Sequence, residues 1–197
     1  AFISNALAVR HLAEACERLA SGGMTLSLSL VDIGNRFAGM LERADVVTED
    51  TMMLSLDGGY EEIRSHYRPS VRNKIRKAQK AGVQVRRAEI PEDFEAYHAI
   101  LSAMHEEWET RLPFGRAFFA AMAAVPGDAI QMWLALHEGK IVAGDLNFSH
   151  AGTLFNWGNV SRHEGRKLAT NNLLHDNALR HAVESGRTRS YNMGSSK

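Results

Sequence analysis

Residues 129–161, "AIQMWLALHEGKIVAGDLNFSHAGTLFNWGNVS", carry three strand patterns joined by two short connections, "HEGK" and "SHAGT". Both connections are turn-like, and strands joined by tight turns pair antiparallel. This stretch is therefore a meander, and any fold for the chain has to be built around it.

The flanking segments are helical by period. Val71, Ile75 and Ala78 form one apolar stripe over 70–81, with Gly82 as the stop and Ser70 as the expected N-cap after Pro69. From Pro91 to Trp108, Phe94, Tyr97, Ile100, Leu101 and Met104 face inward. "GRAFFAAMAAV" is a further helix, and "NNLLHDNALRHAVESG" is a helix closed by Gly186 before a last strand, "TRSYNMG". Earlier in the chain, 6–20 reads as an amphipathic helix with Cys16 on its apolar stripe. "MTLSLSLVD" and "VVTEDTMMLSLDGG" read as strands, and "GNRFAGMLERAD" and "YEEIRSHY" as short helices. The plan helix–Gly–strand occurs at both ends, in "AVRHLAEACERLASGGMTLSLSL" and "LLHDNALRHAVESGRTRSYNMG". This predicts two related units, 1–59 as the C-terminal part of the first and 60–197 as the second.

Bulk properties narrow the function. Lys plus Arg and Asp plus Glu both number 23, so the formal net charge is zero. A surface that seeks nucleic acid or anionic membrane as a whole is excluded, and DNA is not an expected partner. The single cysteine allows neither an internal disulfide nor a thiolate zinc site, and it fits a reducing, cytoplasmic setting. The histidines form no metal pattern: "HEEWE" puts Glu109 where a zinc-protease motif needs its second histidine. No apolar run is long enough to span a membrane.

Against this neutral background, "SVRNKIRKAQKAGVQVRR" has seven basic residues and no acidic one. Arg72 and Arg76 lie off the apolar stripe. They are either a solvated helix face or a contact for phosphates. Asp145, Asn147 and Asn156 are polar positions within apolar strands and must find partners if buried.

The segment "YEEIRSHYRPSVRNKIRKAQKAGVQV", with its basic run ending in Gly-Val, resembles the FemAB-like branch of the GCN5-related N-acetyltransferase (GNAT) superfamily. "WLALHEGKIVAGDLNFSHAGTLFNWGNVS" is similar to that family's central meander. "KLATNNLLHDNALRHAVESGRTRSYNMG" is similar to its cofactor-side helix and following strand. The resemblance implies an α/β (α+β) fold with a mixed, largely antiparallel central sheet flanked by helices. The chain would hold the second of two tandem units plus the end of the first. The family continues with another helix and strand, and Ala1 opens like the inside of a domain, so the resemblance also implies a partial chain.

The implied activity is transfer of an acyl or aminoacyl group from acyl-coenzyme A or aminoacyl-tRNA to an amine, in bacterial cell-wall or exopolysaccharide metabolism. A small-molecule or cell-envelope precursor is the implied partner, with no tightly bound cofactor; tRNA contact and self-association stay open. The alternative is a catalytically degenerate fold that binds a nucleotide-linked or polysaccharide ligand. Donor phosphates would sit at the N-terminus of the last helix, near Arg166, Lys167, Thr170 and Asn171. The family's Arg/Gln-x-x-Gly-x-Gly/Ala cradle is read there with both glycines replaced, and side chains hinder close backbone approach to a pyrophosphate. Glu107, beside Glu106 and Glu109, is the candidate base. Asn156 is the second catalytic candidate, and Trp108, Trp157, Arg72 and Arg76 are substrate-binding candidates. One pocket wall is expected to hold Asn156, Trp157 and Asn171.

Overall fold

The computed structural model describes residues 50–195 together with His11, Glu14 and Arg18. By its contacts the chain divides into two compact units, Ala1–Asp50 and Thr51–Lys197. His11, Glu14 and Arg18 are helical and exposed. Their spacing puts them on one polar face of the helix expected over 6–20. The other readings before residue 50 lie outside the described residues.

The second unit runs β1 (Thr51–Ser55), α1 (Gly59–Ser65), α2 (Pro69–Lys80), β2 (Gln84–Arg87), α3 (Pro91–Glu107) and α4 (Arg116–Ala123). It continues with β3 (Ile130–His137), β4 (Lys140–His150), β5 (Thr153–Ser161), α5 (His163–Leu168), α6 (Thr170–Glu184) and β6 (Ser190–Ser195). The six strands form one sheet in the order β1-β6-β5-β4-β3-β2. Every neighbouring pair is antiparallel except β5 with β6. This is the mixed, largely antiparallel sheet that the family resemblance implies, built around the antiparallel meander read from the sequence. The strand 51–55, read from sequence as the end of the first unit, pairs with β6 in this sheet.

The meander turns are tight because their backbone permits it. Glu138 and Gly139 have φ 49° and 75°, and Ala151 and Gly152 have 49° and 78°. Two consecutive positive φ values give the turn whose twist matches a hairpin, and glycine carries the second at no steric cost.

Helices α1, α2 and α6 cover one face of the sheet. There Ile75 and Ala78 pack with Trp133, Ala135, Val142, Leu173 and Leu174. The start of α2 differs in one detail from the sequence reading. Its N-cap is Arg68, extended at φ −55°, ψ 146°, and Pro69 is the first helical residue. Proline lacks the N–H that this position could not bond anyway, and it forces its predecessor to be extended. Helices α3 and α4 cover the other face, where Phe94, Tyr97, Ile100, Met104 and Phe119 pack with Met132, Leu134, Leu146 and Val160.

The start of α3 is pinned by a buried carboxylate. Asp93, only 2% exposed, accepts from Arg86 Nη1 and Nη2 at 2.7 and 2.6 Å and from the Glu89 N–H at 2.9 Å. Hydrogen bonding from Arg86 holds the carboxyl below its ordinary range, against the opposing effect of burial. A folded value below the unfolded one, about 3.9, contributes stability above that pH and loses it as pH falls through the folded value. Asp93→Asn is therefore expected to be less stable than wild type at pH 7, with the gap closing below about pH 4. Thermal melts of both proteins at pH 7, 5 and 3 check this; an undiminished gap at pH 3 contradicts it.

Candidate functional site

The third strand in the sheet is open along part of one edge. β6 pairs with β5 at Thr153↔Ser190, Leu154↔Tyr191 and Phe155↔Asn192. β5 then continues to Ser161 with β4 alone beside it. Phe155–Asn159 are all half-buried, although Leu154 and Val160 on either side are buried. The Arg162 N–H donates to Val142 O at 2.9 Å. Because antiparallel pairs alternate, that bond directs the backbone groups of Val160 at β4 and those of Asn159 and Ser161 away from it. The Ser161 N–H meets Met104 Sδ at 3.1 Å, so the Asn159 N–H is the donor left pointing into the gap. A register shift between Asn147↔Asn156 and Leu146↔Gly158 makes Trp157 an extra residue, a β-bulge of the kind that re-aims side chains.

On the α6 side of the gap lies a buried polar network. Asp145, wholly buried, accepts from Asn156 Nδ2 at 2.5 Å, Asn159 Nδ2 at 2.6 Å and Asn147 Nδ2 at 2.9 Å. Asn147 Oδ1 accepts from Asn156 Nδ2 and from the Tyr191 hydroxyl, both at 3.3 Å. The Tyr191 hydroxyl also meets His175 Nδ1 at 3.0 Å. Burial, and then the Asp145 charge, push the Tyr191 phenol far up, so it stays protonated and able to donate.

On the α3–α4 side, Trp157 sits among Phe114, Phe118, Phe119 and Phe148, at centroid distances of 5.2, 6.1, 6.3 and 5.9 Å. Tyr97 packs against Phe119 with its ring tilted by 39° and donates to Gly158 O at 3.1 Å. Asn156 and Trp157 therefore face opposite sides of β5 and do not share a pocket wall.

Of the remaining sequence candidates, Glu107, Arg166, Lys167, Thr170 and Asn171 lie on or beside α5, a short helix the periodicity does not announce, while Arg72 and Arg76 lie on α2. Arg166 Nη2 donates to both oxygens of Glu107 at 2.9 Å, tying α5 to the end of α3. Lys167 is exposed. Ala169, left-handed at φ 59°, joins α5 directly to α6. Thr170 is buried, and its hydroxyl turns back to Gly165 O at 3.1 Å. Asn171 Oδ1 is buried with no partner. Trp108 is 53% exposed, with His105 at 5.9 Å. Arg72 reaches Ser65 O at 3.4 Å, and Arg76 reaches Asn73 Oδ1 at 3.5 Å. No carboxylate among the described residues pairs with Arg72, Lys74, Arg76, Lys77 or Lys80.

Sequence reasoning missed Asn159, Tyr191, Tyr97 and Gly165. Asn159 had a signal, since a second polar residue three positions after Asn156 is unusual in a buried strand. Gly165 had one too, since Arg162 to Gly165 fits the Arg-x-x-Gly opening of the cradle pattern; the two tyrosines had none, because a buried tyrosine fits core packing equally well. Among the described residues no group of His, Cys, Asp or Glu is placed to hold a metal ion. No helix among them is long and apolar enough to cross a membrane.

A family model described as an acetyltransferase (GNAT) domain matches residues 65–196. Among curated proteins none matches the chain. Among solved structures, FemX superposes with a TM-score of 0.68 at 13% identity, over 98% of this chain and 69% of that one. A GCN5-related N-acetyltransferase from Kribbella flavida gives 0.58 at 16% identity, over 98% of this chain and 67% of that one. L-PGS from Bacillus licheniformis gives 0.57 at 14% identity, over 75% of this chain and 46% of that one. At such identities these likenesses speak for the fold.

Proposed function

The chain belongs to the acetyltransferase (GNAT) domain family, and from that premise we propose that it transfers an acyl group from a phosphate-bearing carrier to an amine, with the donor carbonyl received in the gap between β5 and β6. The observation that carries this reading is the parting of the two strands after Phe155, which leaves five half-buried residues inside a six-stranded sheet.

In the reaction the amine nitrogen forms a bond to the donor carbonyl carbon, the carbonyl oxygen becomes an oxyanion, and the bond to the carrier's sulfur or oxygen then breaks. A fixed N–H aimed at the developing charge lowers the barrier because it needs no reorganisation. The Asn159 N–H is so aimed. The amine must also lose a proton. Glu107, half-exposed and held at both oxygens by Arg166, is the carboxylate placed to take it.

The carrier is read as anionic from the basic face of α2, whose Arg and Lys side chains have no carboxylate partners among the described residues. Acyl-coenzyme A and aminoacyl-tRNA both fit that charge. After β5, Arg162 to Gly165 supplies one glycine of the Arg/Gln-x-x-Gly-x-Gly/Ala pattern and Lys167 stands in place of the second; a side chain at that position hinders close approach of a pyrophosphate, which favours the aminoacyl ester. The acceptor is read, from the family resemblance, as an amine of a cell-envelope precursor.

The test offers acetyl-coenzyme A and aminoacyl-tRNA with a UDP-linked peptidoglycan precursor and follows the acceptor's mass. Transfer from either donor supports the reading and names the carrier. Binding without transfer would favour the degenerate binding module instead.

A further prediction concerns the basic face. Arg72→Ala with Arg76→Ala should leave thermal stability within about 0.5 kcal/mol, since neither residue packs in the core. Donor affinity should fall about tenfold at low salt, and raising the salt should bring wild type toward the variant. Titrations at two salt concentrations check this, and unchanged affinity for both donors would reduce the face to a solvated one.

A further inference from the structure

We infer that Asn156 and Asn159 read an N–H donor group on the acyl donor, and that Asp145 is the positioning residue that fixes their orientation; this rests on the transfer reading above.

A side-chain amide can present either its oxygen or its nitrogen, and only its partners decide which. Here the partners leave no choice. An ionised carboxylate only accepts, so Asn156 and Asn159 must both turn Nδ2 toward Asp145 Oδ1, at 2.5 and 2.6 Å. Asn147 is likewise fixed, with Nδ2 on Asp145 Oδ2 and Oδ1 on Asn156 and Tyr191. The consequence is on the outer side. Asn156 Oδ1 and Asn159 Oδ1 accept no hydrogen bond among the described residues, and neither is a buried orphan. Two fixed carbonyl oxygens thus line the half-buried stretch Phe155–Asn159. Both oxygens are acceptors, so they suit a group rich in N–H.

The charge behind them points the same way. Asp145 has no Arg, Lys or His partner among the described residues, and three amide dipoles alone offset it. A negative charge held under two outward carbonyls favours a cation over a neutral group. The pair lies on the α6 side of the sheet, the side on which α2 packs, where the carrier's phosphates are expected. The group read is therefore on the donor's arm. Two sources supply that chemistry: the ammonium of an aminoacyl ester, and an amide N–H of the arm of an acyl-coenzyme A.

Alanyl and propionyl groups differ only in the ammonium. The experiment presents each on tRNA and on coenzyme A, and adds a propionyl thioester of a simple alkyl thiol, which has no arm amides. Binding is measured by calorimetry, with kcat and KM where transfer occurs. If the ammonium is read, wild type prefers alanyl over propionyl by about tenfold or more on the carrier it accepts. Asn159→Leu and Asp145→Asn then bring that ratio toward one through KM, with circular dichroism unchanged. If the arm amide is read, alanyl and propionyl coenzyme A are equal, both bind at least tenfold more tightly than the alkyl thioester, and the same variants erase that difference.

Equal affinity of wild type for all five donors overturns the inference without any variant, so a variant that fails to fold does not shield it. Discrimination that survives both substitutions also overturns it. Selective binding without transfer would instead sink the transferase reading and leave the amide pair standing.

Discussion

Gly165→Ala is expected to destabilise the protein by about 2–3 kcal/mol and to abolish donor use. A Cβ at Gly165 would stand 2.6 Å from Ser161 Oγ, 2.6 Å from Val142 O and 3.1 Å from Thr170 Oγ1. The Ser161 hydroxyl can turn away, but Val142 O cannot, because it already accepts the Arg162 N–H at 2.9 Å. The cheaper response is for α5 to lift from the sheet. That movement would strain the Arg166–Glu107 pair and the turn through Ala169 into α6, both beside the proposed donor entrance. Urea unfolding checks the stability part: the midpoint should drop with an unchanged slope. A variant with wild-type midpoint and wild-type donor affinity would show that α5 tolerates displacement, and the close packing at Gly165 would carry no consequence.

Tyr97→Ala is expected to cost about 4 kcal/mol, in the range of other large aromatic deletions from a core. Tyr97 is 1% exposed and lies at 5.6 Å from Phe119 between ring centroids. Its position depends on two glycines beneath it. A Cβ at Gly144 would sit 2.7 Å from Tyr97 Cδ2, and one at Gly158 would sit 3.2 Å from the Tyr97 oxygen. Gly144→Ala alone should therefore cost about 2 kcal/mol by overpacking. In the Tyr97→Ala background the same substitution should cost much less, since the ring it strikes is gone and only Val160 Cγ2, at 3.3 Å, remains close. The double-mutant cycle measures this coupling directly. Additive costs would mean that Tyr97 shifts freely and does not hold the Gly158 carbonyl. Tyr97→Phe, which keeps the ring and removes only the bond to Gly158 O, should cost about 1 kcal/mol.

Much of the architecture was legible from local pattern. The meander, the α2 stripe of Val71, Ile75 and Ala78, and the inward face of α3 follow from periodicity, because burial on one face imposes a fixed repeat. Its boundaries were less legible. Arg68, not Ser70, caps α2, since Pro69 fits the first helical position and no sequence rule forbids that. The helix α5 went unread because six residues are too few to show a period.

The candidate site divides along the same line. The polarity of Asp145, Asn147 and Asn156 was visible in the sequence, and so was the unbalanced charge of α2, because residue type alone decides both. Only the tertiary structure decided what each does. It joined Asn159 from the next strand and Tyr191 from β6, 44 residues from Asn147, to the Asp145 network, and it engaged both oxygens of Glu107 with Arg166, 59 residues away. It also brought Asn156 and Asn159, three positions apart, to one face, because one extra residue in β5 breaks the strict alternation that would have put them on opposite sides; Trp157 faces away from Asn156, as simple alternation requires. The parting of β5 from β6 belongs to this second class. Pairing between strands is a long-range choice, set by what packs above and below them, and no local pattern in either strand records where it stops.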